Sequence, residues 1–375
     1  MILKDLMMIL KRNTGANLKR KFLIINPFGI GDVLFTTPIV KAIKDKYPES
    51  FIGFWCNQRV SPLLTSNPNI DKVFALSRGD IKKIYNESIL RGIYLAFKLF
   101  ISLKKQKFDV VLDYSLDHRY GLISLFCGIK KRIGFDYKGR GRFLTDKQRL
   151  DSYESKHVVE YYLELLKPLN IEVNKTRLDL YIKDEERIKA KDLLTFRGIE
   201  DSDLLIGIAP GAGGSWGKDA SIKHWPALKF AQLADKLAEK FKAKILILGD
   251  ETERSIADII VSAMRNKPID LVGKVPLENL SAIIKCLNLL IANDGGTMHI
   301  SCALGVKTIA IFGPVSEIVY GPYPNDCQDY KVIKKDLECR PCYKNFRVSV
   351  CDRDKECLRT ISVDDVFEAV VKLLD

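Results

Sequence analysis

No stretch of this 375-residue chain is apolar for long enough to cross a bilayer, and 47% hydrophobic residues with a mean hydropathy of −0.03 describe an ordinary globular protein, long enough for two domains. The opening MILKDLMMILKRNTGANLKRK lacks a small-residue cleavage site, and Lys4 and Asp5 break its apolar run. It reads as an extension, frayed or lying amphipathically on a membrane, rather than as a secretory signal. The Walker spacing G-x4-G-K-[ST] is missing, which leaves a P-loop NTPase unsupported. No strand-like run ends in a paired D-x-D; Asp352-Arg-Asp354 and Asp201-Ser-Asp203 read as solvated acids, so no catalytic divalent cation is indicated. Nor does any basic loop interleave aromatics, which counts against a nucleic-acid binder.

Acids are scarce in the first half. Residues 1–150 carry 28 Lys and Arg against 12 Asp and Glu, and residues 151–375 carry 32 against 35, so the whole net charge of +13 originates in the first half. Such asymmetry points to an anionic partner: nucleic acid, phospholipid headgroups or a phosphorylated substrate. Among nine cysteines, Cys56, Cys127, Cys286 and Cys302 sit in apolar contexts as small core residues. Cys339, Cys342, Cys351 and Cys357 share the polar stretch CRPCYKNFRVSVCDRDKEC, whose spacing follows no common zinc module. Without an export signal disulfides are disfavoured there, and a structural zinc or Fe–S site competes with reduced thiols.

Apolar runs at 21–25, 50–56, 72–76, 108–115 and 131–135 alternate with amphipathic stretches, one of them a long helix around 80–106. After a crossing segment at 170–183 the pattern restarts, with strands at 203–211, 243–250, 269–273, 288–294 and 307–314. This is the signature of two doubly wound α/β domains with parallel sheets, and ligands of such sheets bind at the carboxyl ends of the strands. Every polar motif singled out falls on a loop at such an end.

The first is NPFGIGDVLFTTP, residues 26–38. A dinucleotide fingerprint wants a third glycine, where Leu34 stands, and an acid after the second strand, where Cys56-Asn57-Gln58 stands, so NAD binding is improbable. A tight turn remains, followed by Asp32 near a helix start, where an aspartate either caps the helix or does chemistry. In IANDGGTMHISCALGV (291–306), Gly295 and Gly296 offer amides at a helix start suited to a phosphate or pyrophosphate. His299 in that first turn either donates to a phosphate or sugar oxygen or simply packs. LGDETERS places Glu251 and Glu253 just past a strand, where a carboxylate can hold ribose hydroxyls or merely favour the helix dipole. The glycine-rich loop PGAGGSWGKDASIKHWP (210–226), with Lys218 and Lys223, suits a diphosphate.

Three of these motifs, GIGDVLFTTPIVKAIK, PGAGGSWGKDASIKHWP and NDGGTMHISCALGVKTIAIFGP, occur in the order that resembles glycosyltransferase family 9, the heptosyltransferases of lipopolysaccharide core assembly. The resemblance covers about residues 21–374. It implies a GT-B architecture: an extension at 1–20, an acceptor-binding Rossmann-like domain at 21–184, and a nucleotide-sugar domain at 185–375 carrying the cysteine cluster 339–357 and a C-terminal helix. It also implies a metal-independent, inverting transfer of a heptose from an ADP-sugar to Kdo–lipid A at the cytoplasmic face of the inner membrane. Carried over by position, Asp32 is the general base, expected to have a low pKa at a helix start. Lys223 holds the donor phosphates and Lys218 shares that loop. Glu251 or Glu253 meets the ribose, Asp294 the donor sugar, and Gly295, Gly296 and His299 the diphosphate. Gly29 stands where lipopolysaccharide heptosyltransferases often carry a hydroxyl residue, and the mid-chain loop is longer than theirs, either of which would fit another sugar or acceptor.

With an acidic glycolipid as acceptor, Arg59, Arg119, Lys130, Lys131, Arg132, Lys138, Arg140 and Arg142 are candidates to meet its phosphates and carboxylates and to hold the enzyme on an anionic leaflet. Two other readings stay open at this point: a sugar-nucleotide epimerase or hydrolase on the same scaffold, and a non-enzymatic nucleic-acid binder using the basic half.

Overall fold

The computed structural model describes residues 19–375, apart from the side chains of Ser215 and Lys218. Its apolar runs form two six-stranded parallel sheets. The first holds β1 (Lys21–Ile25), β2 (Phe51–Cys56), β3 (Lys72–Ala75), β4 (Val110–Asp113), β5 (Lys131–Asp136) and β6 (Asp146–Arg149) in the order 3-2-1-4-5-6. The second holds β7 (Leu205–Ala209), β8 (Lys244–Ile247), β9 (Ile269–Asp270), β10 (Leu289–Asn293), β11 (Lys307–Ile311) and β12 (Tyr330–Ile333) in the order 12-11-10-7-8-9. The central strands β7 and β10 are buried along their whole length, as is β1 beyond Lys21, because helices cover both faces of each sheet.

The helices that matter below are α1 (Ile30–Phe35), α2 (Thr37–Lys46), α3 (Arg78–Glu87), α4 (Ile89–Gln106), α5 (His118–Phe126), α6 (Ala227–Phe241), α7 (Gly296–Ala303) and α8 (Val363–Leu374). Helix α8 packs on α6, so the chain ends against the second sheet. A short hairpin of β13 (Tyr343–Lys344) and β14 (Arg347–Val348) follows β12.

Strand order fixes where the site must lie. Chain direction across the sheet reverses between β1 and β4 in the first sheet and between β7 and β10 in the second. The loops leaving those strands therefore splay apart into crevices. The two crevices face each other and form one cleft of about 780 Å³, within the range of small-molecule sites. This is the GT-B arrangement expected from the sequence.

Two local expectations need correction, and one strand lies outside the pattern. The single helix around 80–106 is two, because Ser88 is extended (φ −157°, ψ 112°) and accepts a hydrogen bond from the Arg91 amide at 3.4 Å, capping α4. Strand β6, Asp-Lys-Gln-Arg, has no apolar signal; as an edge strand it needs to bury neither face. Cys286 is exposed at the end of the helix Leu277–Lys285, whereas Cys56 and Cys302 are buried as expected.

Candidate active site

Asp32 is fixed from below. Asn26, fully buried, donates from Nδ2 to the Asp32 carbonyl at 2.9 Å and accepts from the Phe28 amide at 3.2 Å, so the turn between β1 and α1 is tied to the residue it presents. The Asp32 Oδ2 accepts from the Gly29 amide at 3.3 Å. The capping reading is thus correct as far as it goes, but the side chain also stands part-exposed on the cleft floor. The low pKa expected from the helix start does not hold. Burial lifts it to about 6, against the downward pull of the Gly29 amide and of Lys223 across the cleft.

Opposite lies the end of β10. Asn293 accepts from the Trp225 amide at 3.1 Å and donates to the Pro210 carbonyl at 2.5 Å, binding the strand end to the 210–225 loop. That loop delivers Lys223, whose Nζ is 2.6 Å from Asp294 Oδ2, 3.3 Å from the Asp294 carbonyl and 4.2 Å from the centroid of the Trp216 ring. Both members of the pair are almost completely buried (6% and 4% exposed), so each depends on the other for compensation. Beside them the first turn of α7 presents the amides of Gly295 and Gly296, which precede any intrahelical acceptor. The Lys218 side chain lies outside the described residues.

Two glycines set the width of the gap between the halves. A Cβ on Gly31 would lie 2.7 Å from His299 Cδ2, and one on Gly296 would lie 2.9 Å from Ile30 Cβ. Their absence lets α1 and α7 touch, with the Phe35 ring edge-on to His299 at 4.7 Å between centroids. His299 is buried and its Nδ1 has no hydrogen-bond partner among the described atoms. Burial, then Lys223, lower its pKa to about 3. Whatever it bonds, it bonds as a neutral imidazole.

The two candidate ribose acids separate. Glu253 lines the cleft, but its oxygens accept from the amides of Gly213 (2.9 Å) and Asp250 (3.0 Å), strapping the 210–214 loop to the start of the next helix. Glu251 is exposed beside Gly273, where a Cβ would lie 2.0 Å from its Oε2, and it is not among the residues lining the cleft. Asp250, which the sequence reading passed over, does line it.

The basic group also divides. Arg59, Arg119 and Arg140 line the cleft, joined by Arg78, which was not anticipated. Lys130, Lys131, Arg132, Lys138 and Arg142 are not among the lining residues. The reason is strand direction: residues 130–132 sit where β5 begins, the edge opposite its carboxyl end. Arg132 is spent on the carbonyls of Phe143 (2.6 Å) and Ile129 (2.5 Å), while Lys138 and Arg142 lie over the rings of Tyr137 and Phe143. Arg119 is held by Asp117 at 2.7 Å.

Sequence reasoning missed an aromatic wall entirely. Tyr153, Tyr162, Tyr320, Tyr343 and Phe346 come from four separate segments and line the cleft around Asp32. Phe346, on the tip of the β13–β14 hairpin, packs edge-on against Tyr137 (5.1 Å) and Tyr153 (5.3 Å) of the first half. The cysteine stretch thus supplies part of the cleft. Among the described residues, however, no group of three or more His, Cys, Asp or Glu is arranged to hold a metal, so the structure does not assemble the zinc or Fe–S site. Cys342 Sγ donates to the Cys339 carbonyl at 3.1 Å, and burial pushes the Cys357 thiol up to about 11.

The family description Glycosyltransferase family 9 (heptosyltransferase) matches residues 96–349 of the chain. A curated relative, lipopolysaccharide heptosyltransferase 3 of Escherichia coli strain K12, is 24% identical over 92% of this chain and 95% of its own. The solved glycosyl transferase family 9 structure from Veillonella parvula superposes with a TM-score of 0.79 at 24% identity, covering 95% of this chain and 97% of that one. The structure of E. coli ADP-heptose lps heptosyltransferase II follows at 0.74 and 21%, covering 94% and 98%. At these identities the superpositions establish the shared fold.

Proposed function

The chain belongs to glycosyltransferase family 9, and from that membership we propose that it transfers a heptose or related sugar, with inversion, from an ADP-sugar to a lipopolysaccharide-core acceptor of the Kdo–lipid A type. In this reading residues 21–184 receive the acceptor, residues 185–375 receive the donor, and the protein works at the cytoplasmic surface of the inner membrane. No helix among the described residues is long and apolar enough to cross a membrane.

One observation carries the proposal: a part-exposed carboxylate from one sheet faces, across a single cleft, a buried lysine and a helix start from the other. Inversion needs a base on one face of the anomeric carbon and stabilisation of the leaving group on the other. In the proposed step Asp32 takes the proton of the acceptor hydroxyl as that oxygen attacks, and the bond from the anomeric carbon to the diphosphate breaks. A pKa near 6 leaves Asp32 ionised at neutral pH yet more basic than an ordinary aspartate. Charge gathering on the departing diphosphate meets Lys223 Nζ and the amides of Gly295 and Gly296, fixed in place before the reaction. Arg59, Arg78, Arg119 and Arg140, all carried by the first half of the chain, suit the anionic acceptor.

The test is a panel of ADP-, UDP- and GDP-sugars incubated with the purified protein and a truncated glycolipid acceptor, with products read by mass spectrometry and anomeric configuration by NMR. A heptosylated glycolipid formed from the ADP-sugar is the expected result. Donor consumption with no glycolipid product would place the protein with the epimerases or hydrolases instead.

A further inference from the structure

Helices α3 and α4 form an antiparallel pair whose outer surface serves none of the functions above. Gly92 is buried where the two cross, and a Cβ there would lie 2.9 Å from Tyr85 Cα, so the pair is tightly joined. The face of α4 turned to the protein packs by ordinary apolar contact, including Leu103 in the core. The opposite face is apolar as well, which a helix on a water-facing surface should not be. Leu90 is 81% exposed and Phe97 63%, and Ile89, Ile93 and Tyr94 beside them are also exposed. These side chains recur at helical spacing and make one continuous stripe.

Cations rim the stripe. Lys82 and Lys83 stand on α3, and Arg91, Lys98, Lys104 and Lys105 on α4, all exposed. Across residues 78–106 there are seven Lys and Arg against two Asp and Glu. The pair also adjoins the cleft: Arg78, which opens α3, lines both the main cleft and a second, apolar pocket of about 260 Å³ beneath α4.

We infer that the α3–α4 pair is the element by which this protein docks on an anionic phospholipid bilayer, inserting the Leu90–Phe97 stripe into the interface while the lysines meet headgroups. The stripe combines apolar area with one sign of charge, and a bilayer rich in anionic lipid is complementary to both. A second copy of the chain is not complementary, since a two-fold pairing would set the same lysine rim against itself. The N-terminal segment 1–18 is a weaker match for the same reason, with Lys4, Lys11 and Arg12 against Asp5. The inference deepens the glycolipid-acceptor reading, on which it rests for its purpose, and moves the docking role from residues 130–142 to residues 78–106.

The experiment uses the full chain and vesicles of phosphatidylglycerol and phosphatidylethanolamine containing no acceptor, with phosphatidylcholine vesicles in parallel, scored by co-sedimentation. Wild type should bind the anionic vesicles at least about tenfold more tightly than phosphatidylcholine. Leu90→Glu with Phe97→Glu should weaken that binding by about tenfold or more, and Lys98→Glu with Lys105→Glu by several-fold, with ADP affinity and thermal midpoint unchanged in both. Equal binding by wild type and the Leu90/Phe97 variant would overturn the inference. So would loss of binding on deleting residues 1–18 alone, or conversion of a wild-type dimer to a monomer by the same pair of substitutions. None of these readouts depends on sugar transfer, so a failure of the proposed reaction would be seen separately.

Discussion

Replacing Asp32 with asparagine should do two opposite things at once. The substitution keeps the shape and an oxygen able to accept the Gly29 amide, but removes the base, so transfer should fall by at least about a hundredfold while ADP affinity stays within a few-fold. Stability should move the other way. Folding raises the Asp32 pKa from 3.8 to about 6; at about 1.4 kcal/mol per pH unit, keeping it ionised in the fold costs about 3 kcal/mol above pH 7. The sign follows from proton uptake. Between pH 4 and 6 the folded protein holds a proton that the unfolded chain releases, so wild-type stability declines through that window as pH rises. Asparagine carries no such penalty, and the variant should exceed wild type by about 3 kcal/mol at pH 8 and by little at pH 4. Urea unfolding at both pH values, beside a transfer assay, measures the pair of effects. A variant that is inactive yet no more stable at pH 8 would refute the burial argument, and one that transfers normally would remove Asp32 from the reaction.

The same titration predicts that kcat/KM of wild type falls about tenfold per pH unit below an apparent pKa near 6, read from a pH–rate profile. Lys223→Ala should weaken ADP binding and turnover together and, by leaving Asp294 buried without its cation, cost about 3–5 kcal/mol of stability; calorimetry with ADP and a urea melt would show both. Gly31→Ala places a methyl 2.7 Å from His299 Cδ2 and should prise α1 from α7, lowering kcat by more than it changes the ADP dissociation constant. Glu253→Gln sets an amide donor against one of two backbone N–H groups, so KM for the donor should rise several-fold as the 210–214 loop loosens, whereas Glu251→Gln should change it little.

The parts of this protein that were legible beforehand are those governed by local pattern. The run Lys21-Phe-Leu-Ile-Ile25 can only be a buried strand, and the glycines and Asp32 after it mark a loop-to-helix turn whatever the rest of the chain does. What could not be read depends on the direction or the neighbours of an element. Lys130, Lys131 and Arg132 look like partners of Arg140 in the sequence, yet they stand at opposite ends of β5. Glu251 and Glu253 are two residues apart, and only the position of Gly213 decides which faces the cleft. The aromatic wall carries no motif, because Tyr153, Tyr320 and Phe346 converge only once both sheets are built; the sole hint was a density of tyrosines on otherwise polar segments.

On the proposed assignment, the Lys223–Asp294 pair would let a cleft with one buried lysine both bind a diphosphate and let it go. Were Lys223 alone, an anionic leaving group would be its sole counter-ion and product release would be slow. Asp294, at 2.6 Å, neutralises the cation whenever the cleft is empty and holds Nζ where it would be needed. In the proposed reaction the added attraction would arise as negative charge accumulates on the departing group, when the amides of Gly295 and Gly296 would strengthen too. The desolvation that raises the Asp32 pKa would also strengthen this lysine and these amides on a diphosphate, and the close α1–α7 contact that Gly31 and Gly296 allow brings the two sides together.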